Sequence, residues 1–206
     1  ALPIYIASGL TSSQVFFSTL SGSLNAYKNK NFSRTLILNM GSGMVIGSML
    51  GAILANLRNV QFVNTVYIII ALLALILMFI KVTPSTSHIK FNRLLLITIG
   101  GIIGLVSGIV GAGGAFIIIP VLLVIFKLPM NMVVTNSIVI AFISSIGAFM
   151  IKLLQGYIPI NSAIPLILGS ILFTPLGMKM GQKIPDYIQK TIICILIVVA
   201  IIKLIF

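Results

Sequence analysis

The chain has 206 residues, 59% of them hydrophobic and only 7% charged, and its 13 Lys and Arg face a single acid, Asp186. A soluble domain carries roughly a quarter charged residues, so this chain could not cover itself with polar surface in water. That excludes soluble enzymes, disulfide scaffolds and disordered regulators, and points to an all-α integral membrane protein.

Apolar runs of about 20 residues, long enough to cross a bilayer, set the plan. The first is predicted from Leu2 to Ala26 and is rich in Ser and Thr; the second covers Thr35–Leu57 and the third Phe62–Ile80. A polar loop over 81–93 holds Lys81, Pro84, His88, Lys90 and Arg93. The next run, Leu94–Phe126, is interrupted by Gly111, Gly113 and Gly114. After Lys127-Leu128-Pro129 come Asn131–Leu154, Asn161–Met180 and Ile188–Phe206. The prediction is thus about seven to eight membrane segments.

The net charge of +12 does not signal nucleic acid, because the basic residues lie in the short connections between apolar runs. There they act as topology signals and headgroup contacts. If Leu94–Phe126 folds back as a hairpin, ten basic residues share one face: Lys28, Lys30, Arg34, Lys81, Lys90, Arg93, Lys127, Lys179, Lys183 and Lys190. Only Arg58, Lys152 and Lys203 fall opposite. A single crossing would make the split less one-sided, so the hairpin is preferred, with the ten-residue face cytoplasmic in a bacterial inner membrane. Lys152 and Lys179, near helix ends, are expected to snorkel, and Tyr27, Tyr157 and Tyr187 to anchor at the interface.

Shifting the chain by 126 residues places Phe16 on Phe142, Ser18 on Ser144, Gly43 on Gly169, Gly51 on Gly177 and Thr65 on Thr191. This predicts an internal duplication. The first repeat covers 1–80 and the second 94–206, joined by the polar loop 81–93. With the hairpin, the copies enter the membrane from opposite sides, the inverted-repeat plan of many secondary transporters. Only the second copy carries a glycine-broken segment ahead of its three helices. A matching element of roughly 30 to 40 residues is therefore expected upstream of Ala1 in the full-length protein.

Two glycine series, Gly43-Gly47-Gly51 and Gly100-Gly104-Gly108, have the four-residue spacing of helix-packing seams. Gly111-Ala112-Gly113-Gly114 is different, because three glycines in four residues destroy helix propensity. A half-helix starting near Ala115 would aim its N–H groups and positive dipole end into a cavity, a natural anion site. The dipole end carries only about half a charge, so other donors must converge. Ser8, Thr11 and Ser12 on the first segment and Thr135, Asn136 and Ser137 on the fifth are the candidate partners, and the shift of 126 puts Thr11 on Ser137. No Asp or Glu lies in an apolar run, so no intramembrane carboxylate relay can be built from these residues. Cys194 and His88 have no partners that would make a metal or redox site, and no cofactor is implied.

Gly108–Pro120, followed by Lys127-Leu128-Pro129-Met130 and Thr135-Asn136-Ser137, resembles the TauE/SafE sulfite-exporter family of anion permeases. Gly111-Ala112-Gly113-Gly114-Ala115 matches the family's GxGGG break with Ala in one glycine position, and Asn136-Ser137 stands where Thr-Ser is usual. In the first copy, Ser8-Gly9-Leu10-Thr11-Ser12, Phe16–Gly22 and Tyr27-Lys28-Asn29 are similar to the segment after the family's first glycine break. The resemblance covers essentially the whole chain. It implies export or uptake of sulfite, sulfonates or related sulfur-containing anions.

The expectation is a permease of small inorganic or organic anions, embedded in the lipid bilayer and working by alternating access; homo-oligomers are compatible with it. The substrate would meet Gly111, Gly113, Gly114, Ala115, Ser8, Thr11, Ser12, Thr135, Asn136 and Ser137. The rivals are a non-transporting membrane subunit, whose Gly, Ser and Thr features serve only packing, and a channel. An enzyme is disfavoured because no nucleophile–base pair is present.

Overall fold

The computed structural model describes residues 4–27, 33–56, 60–80, 92–111, 114–181 and 183–205. Among them are eight α-helices and no strand: α1 (Ile4–Ala26), α2 (Arg34–Asn56), α3 (Val60–Phe79), α4 (Arg93–Val110), α5 (Ala115–Val124), α6 (Met130–Leu154), α7 (Ile160–Gly181) and α8 (Asp186–Ile205). Within α2, α3, α4, α6 and α7 lie stretches long and apolar enough to cross a membrane. At 1.5 Å per residue the 23 residues of α1 also reach about 34 Å, enough for a bilayer.

The two glycine seams meet. A Cβ on Gly43 would strike the Ile97 carbonyl, one on Gly47 that of Gly101, and one on Gly51 that of Leu105. Reciprocally, Gly100, Gly104 and Gly108 abut the carbonyls of Met40, Met44 and Ser48. Absent side chains thus let the two backbones touch, which is how membrane helices gain van der Waals packing without a hydrophobic driving force. The pairings advance together along both helices, so α2 and α4 run parallel.

Helix α6 runs the same way as α2. Ser33 N–H donates to Asn136 Oδ1 (2.9 Å) at one end, and Gly147 packs on Ser48 and Met49 towards the other. With α4 and α6 both parallel to α2, the chain between them must return to the face where α4 began. The predicted hairpin is what the chain forms. Gly111 (φ 76) ends α4, Gly114 (φ 70) opens α5, and α5 is a 10-residue half-helix of about 15 Å. Its Ile118 and Leu122 are fully buried in a core shared with Met40, Met44, Leu96 and Ile140.

Helix α1 is antiparallel to α6. Gly9 packs on Tyr157, Phe16 stacks on Phe149 (4.6 Å between ring centroids), Thr19 faces Ser145 and Gly22 faces Ile138. Helix α7 lies along α1, where Ser18 and Thr174 share a hydrogen bond (2.9 Å), and α8 rests on α3 through Ala71, Ala74 and Ile197. Helix bounds lie within two residues of the predicted runs; Leu2 and Phe206 fall outside the described residues.

Candidate functional site

The glycine break sits against the start of α1. Gly111 N–H closes α4 on the Ser107 carbonyl (2.8 Å), and a Cβ there would lie 2.7 Å from Ser8 Oγ and 3.3 Å from Ser12 Oγ. Gly114 caps α5 with its carbonyl, which accepts from Ile117 and Ile118 N–H (3.0 Å each). The helical pattern leaves the N–H groups of Ala115 and Phe116 without a partner inside α5. A Cβ on Gly114 would stand 3.0 Å from Ser107 Cβ and 3.1 Å from its Oγ. Ala112 and Gly113 lie outside the described residues.

Buried hydroxyls without partners gather here. Ser8 Oγ and Ser107 Oγ have no hydrogen-bond partner, although Ser107 is only 1% exposed. Ser144 Oγ on α6 is also buried and unpartnered, while its backbone carbonyl accepts from Ser48 Oγ (2.7 Å). Buried polar groups in folded proteins are normally satisfied, so each such orphan needs a reason. The chemistry available is that of neutral donors around a positive helix end, suited to an oxyanion.

The other expected partners are already engaged. Thr11 is exposed and donates to its own helix at the Ala7 carbonyl (2.9 Å); Ser12 is buried and donates to the Ser8 carbonyl (2.8 Å). Thr135 and Ser137 bond the Asn131 and Val134 carbonyls. Asn136, fully buried, donates to the Met132 carbonyl (2.7 Å) and accepts from Ser33 N–H, tying α2 to α6. These three residues open α6, whereas Ser8 and Gly111 lie near its far end, about 27 Å along the axis from Asn136 to Leu154. The antiparallel run of α1 on α6 is the cause. One site therefore gathers Ser8, Ser12, Gly111, Gly114 and the α5 amides, and the Thr135–Ser137 group stands apart from it.

Sequence reasoning missed Ser107, whose only signal is its place one turn before Gly111 on the α4 seam. Lys152 also departs from expectation: instead of snorkelling it is 1% exposed, with Nζ 5.7 Å from the Tyr157 ring centroid. The chain after α6 turns at Gly156 (φ 70), and Tyr157 N–H donates back to the Lys152 carbonyl (3.2 Å). Among the described residues no His, Cys, Asp and Glu cluster could hold a metal.

The family model for the sulfite exporter TauE/SafE matches residues 1–204. Two Bacillus subtilis (strain 168) proteins are similar over most of their length. The probable membrane transporter protein YunE is 26% identical over 95% of this chain and 78% of its own, and the probable membrane transporter protein YdhB is 22% identical over 93% and 81%. No solved structure matches significantly. With its apolar helices long enough to span a bilayer, the chain belongs to the sulfite exporter TauE/SafE family and is a multi-pass membrane transporter.

Proposed function

We propose that the protein is a secondary carrier of small anions, sulfite or sulfonates first among them, working by alternating access between two inverted halves. The observation that carries the anion reading is the glycine break. Two left-handed glycines expose the N-terminus of half-helix α5 beside the unpartnered hydroxyls of Ser8 and Ser107. An oxyanion there would complete both hydroxyls and the first α5 amides together. Thr135, Asn136 and Ser137 would serve the substrate from the other half of the cycle.

Support for two inverted halves comes from the shift of 126 residues. It carries the bounds of α3 onto those of α8 and the start of α1 and α2 onto that of α6 and α7. Counterparts also meet: Phe16 lies 5.6 Å from Phe142 between ring centroids, and Thr19 Oγ1 lies 3.5 Å from Ser145 Oγ. The Ser48–Ser144 contact has its double in Thr174–Ser18. Contacts between a residue and its own counterpart are what a two-fold axis in the membrane plane produces. Gly169 and Gly177, counterparts of the seam glycines Gly43 and Gly51, have nothing within 4 Å.

The test is flux into proteoliposomes of the full-length protein, with sulfite, sulfate, thiosulfate, a sulfonate, a carboxylate and chloride compared. Saturable uptake of one sulfur oxyanion, accelerated by the same anion trapped inside, is expected. Gly114→Leu should abolish it, because the side chain would fill the space beside Ser107. Flux that never saturates would replace the carrier with a channel; wild-type flux in Gly114→Leu at equal abundance would remove the site.

A further inference from the structure

We infer that Lys152 supplies the full positive charge of the anion site and so selects anions over neutral solutes; the inference rests on the anion reading above. Lys152 lies in the last turn of α6 and is 1% exposed. A buried ammonium needs an opposite charge, backbone carbonyls or a wet cavity nearby, because neither lipid nor apolar side chains can replace its hydration.

The only acidic residue of the chain is Asp186. That carboxylate lines a small cavity with Leu128, Met130 and Lys190, at the end where α6 begins. Lys152 is 22 residues further along the same helix, about 33 Å away. The contact it does have is the Tyr157 ring at 5.7 Å, within cation–π range but carrying no net charge. An anion bound from solution would supply the opposite charge that these residues do not place beside it.

A run of neighbouring contacts links Lys152 to the glycine break. Tyr157 is seated on α1 where Gly9 has no side chain; a Cβ on Gly9 would strike the Tyr157 carbonyl. The neighbour of Gly9 is Ser8, whose buried, unpartnered Oγ faces Gly111. One turn beyond Lys152, Gln155 Oε1 is likewise buried without a partner. Contacts thus run from Lys152 to Tyr157, from Tyr157 to Gly9, and from the adjacent Ser8 to Gly111. An α5 dipole end contributes about half a charge, too little to hold an anion out of water, and in the proposed site the Lys152 ammonium makes up the rest. The shift of 126 puts buried Ala26 at the position of Lys152, so the charge has no counterpart at that position of the first repeat.

The experiment measures sulfite binding by thermal shift and sulfite flux, at matched ionic strength, for the full-length wild type and Lys152→Met, Lys152→Gln and Lys152→Arg. Replacing a buried charge by an apolar chain of similar volume is commonly neutral for folding or better, so Lys152→Met is expected to melt no lower than the wild type. Lys152→Gln, which keeps a polar head without charge, stands in should Lys152→Met fail to fold. Loss of charge is expected to weaken sulfite about ten- to a hundredfold, the worth of a hydrogen bond to a charged group, with Lys152→Arg retaining most of the affinity. Wild-type affinity in a folded, uncharged variant would overturn the inference and leave the anion reading standing. A wild type that binds and moves no anion would overturn both.

Discussion

Gly111 and Gly114 do different work from the other glycines of the chain. Both sit at positive φ, where an L-residue pays roughly 1–2 kcal/mol, and both lie where a Cβ would press on Ser8 or Ser107. Gly111→Ala should therefore lower stability by about 1–2 kcal/mol in a reversible unfolding assay and reduce transport beyond what the lost protein explains. Equal losses in both would reduce Gly111 to a plain C-cap. The break was legible in sequence because three glycines in four residues cannot remain helical. The bonds that Thr11, Thr135, Asn136 and Ser137 make to their own helices were not legible, because hydroxyl and amide side chains in a helix can bond either the preceding turn or a ligand. The sequence pattern is the same for both uses. Only the bond to Ser33 shows that Asn136 fastens α2 to α6.

At the scale of elements, the parallel pair α2 and α4 is the most closely packed, while α5 is set against α3 and α6. Their seam was readable from the four-residue glycine spacing, and the bounds of each helix from the charged and proline punctuation between apolar runs. The partner of each seam was not readable, since spacing names a face without naming what covers it. Gly47→Leu tests the seam directly. Its side chain would meet the Gly101 carbonyl and push the backbones apart, with an expected loss of about 1–3 kcal/mol, as for overpacked cores. Gly177→Leu, facing open space, should change the stability of the same protein little. Similar effects at the two positions would mean that the seam contributes no more than an exposed face. Ser48→Ala, which removes the bond to the Ser144 carbonyl, should cost about 0.6 kcal/mol, typical of side-chain hydrogen bonds between membrane helices.

For the whole molecule, the α1–α6 contact is the place where the proposed two-fold axis and the proposed transport motion coincide. Residues there meet their own counterparts, so a motion that exchanges the two halves must slide or rock these helices against each other. The hairpin topology followed from ten basic residues on one face, but this contact could not be read from sequence, because periodicity leaves helix partners unspecified. Thr19 Oγ1 and Ser145 Oγ are 3.5 Å apart, close enough for cysteines at these positions to form a disulfide with little backbone movement. Thr19→Cys with Ser145→Cys, in a Cys194→Ser background that removes the one native thiol, would make the contact switchable. Under reducing conditions the double variant should transport like its background. Oxidation should stop flux while leaving sulfite-dependent stabilisation intact, and a reducing agent should restore flux. Undiminished flux through the fully cross-linked protein would show that α1 and α6 move as one body, and the rocking interface would then have to lie elsewhere, with α7 and α8 the first candidates.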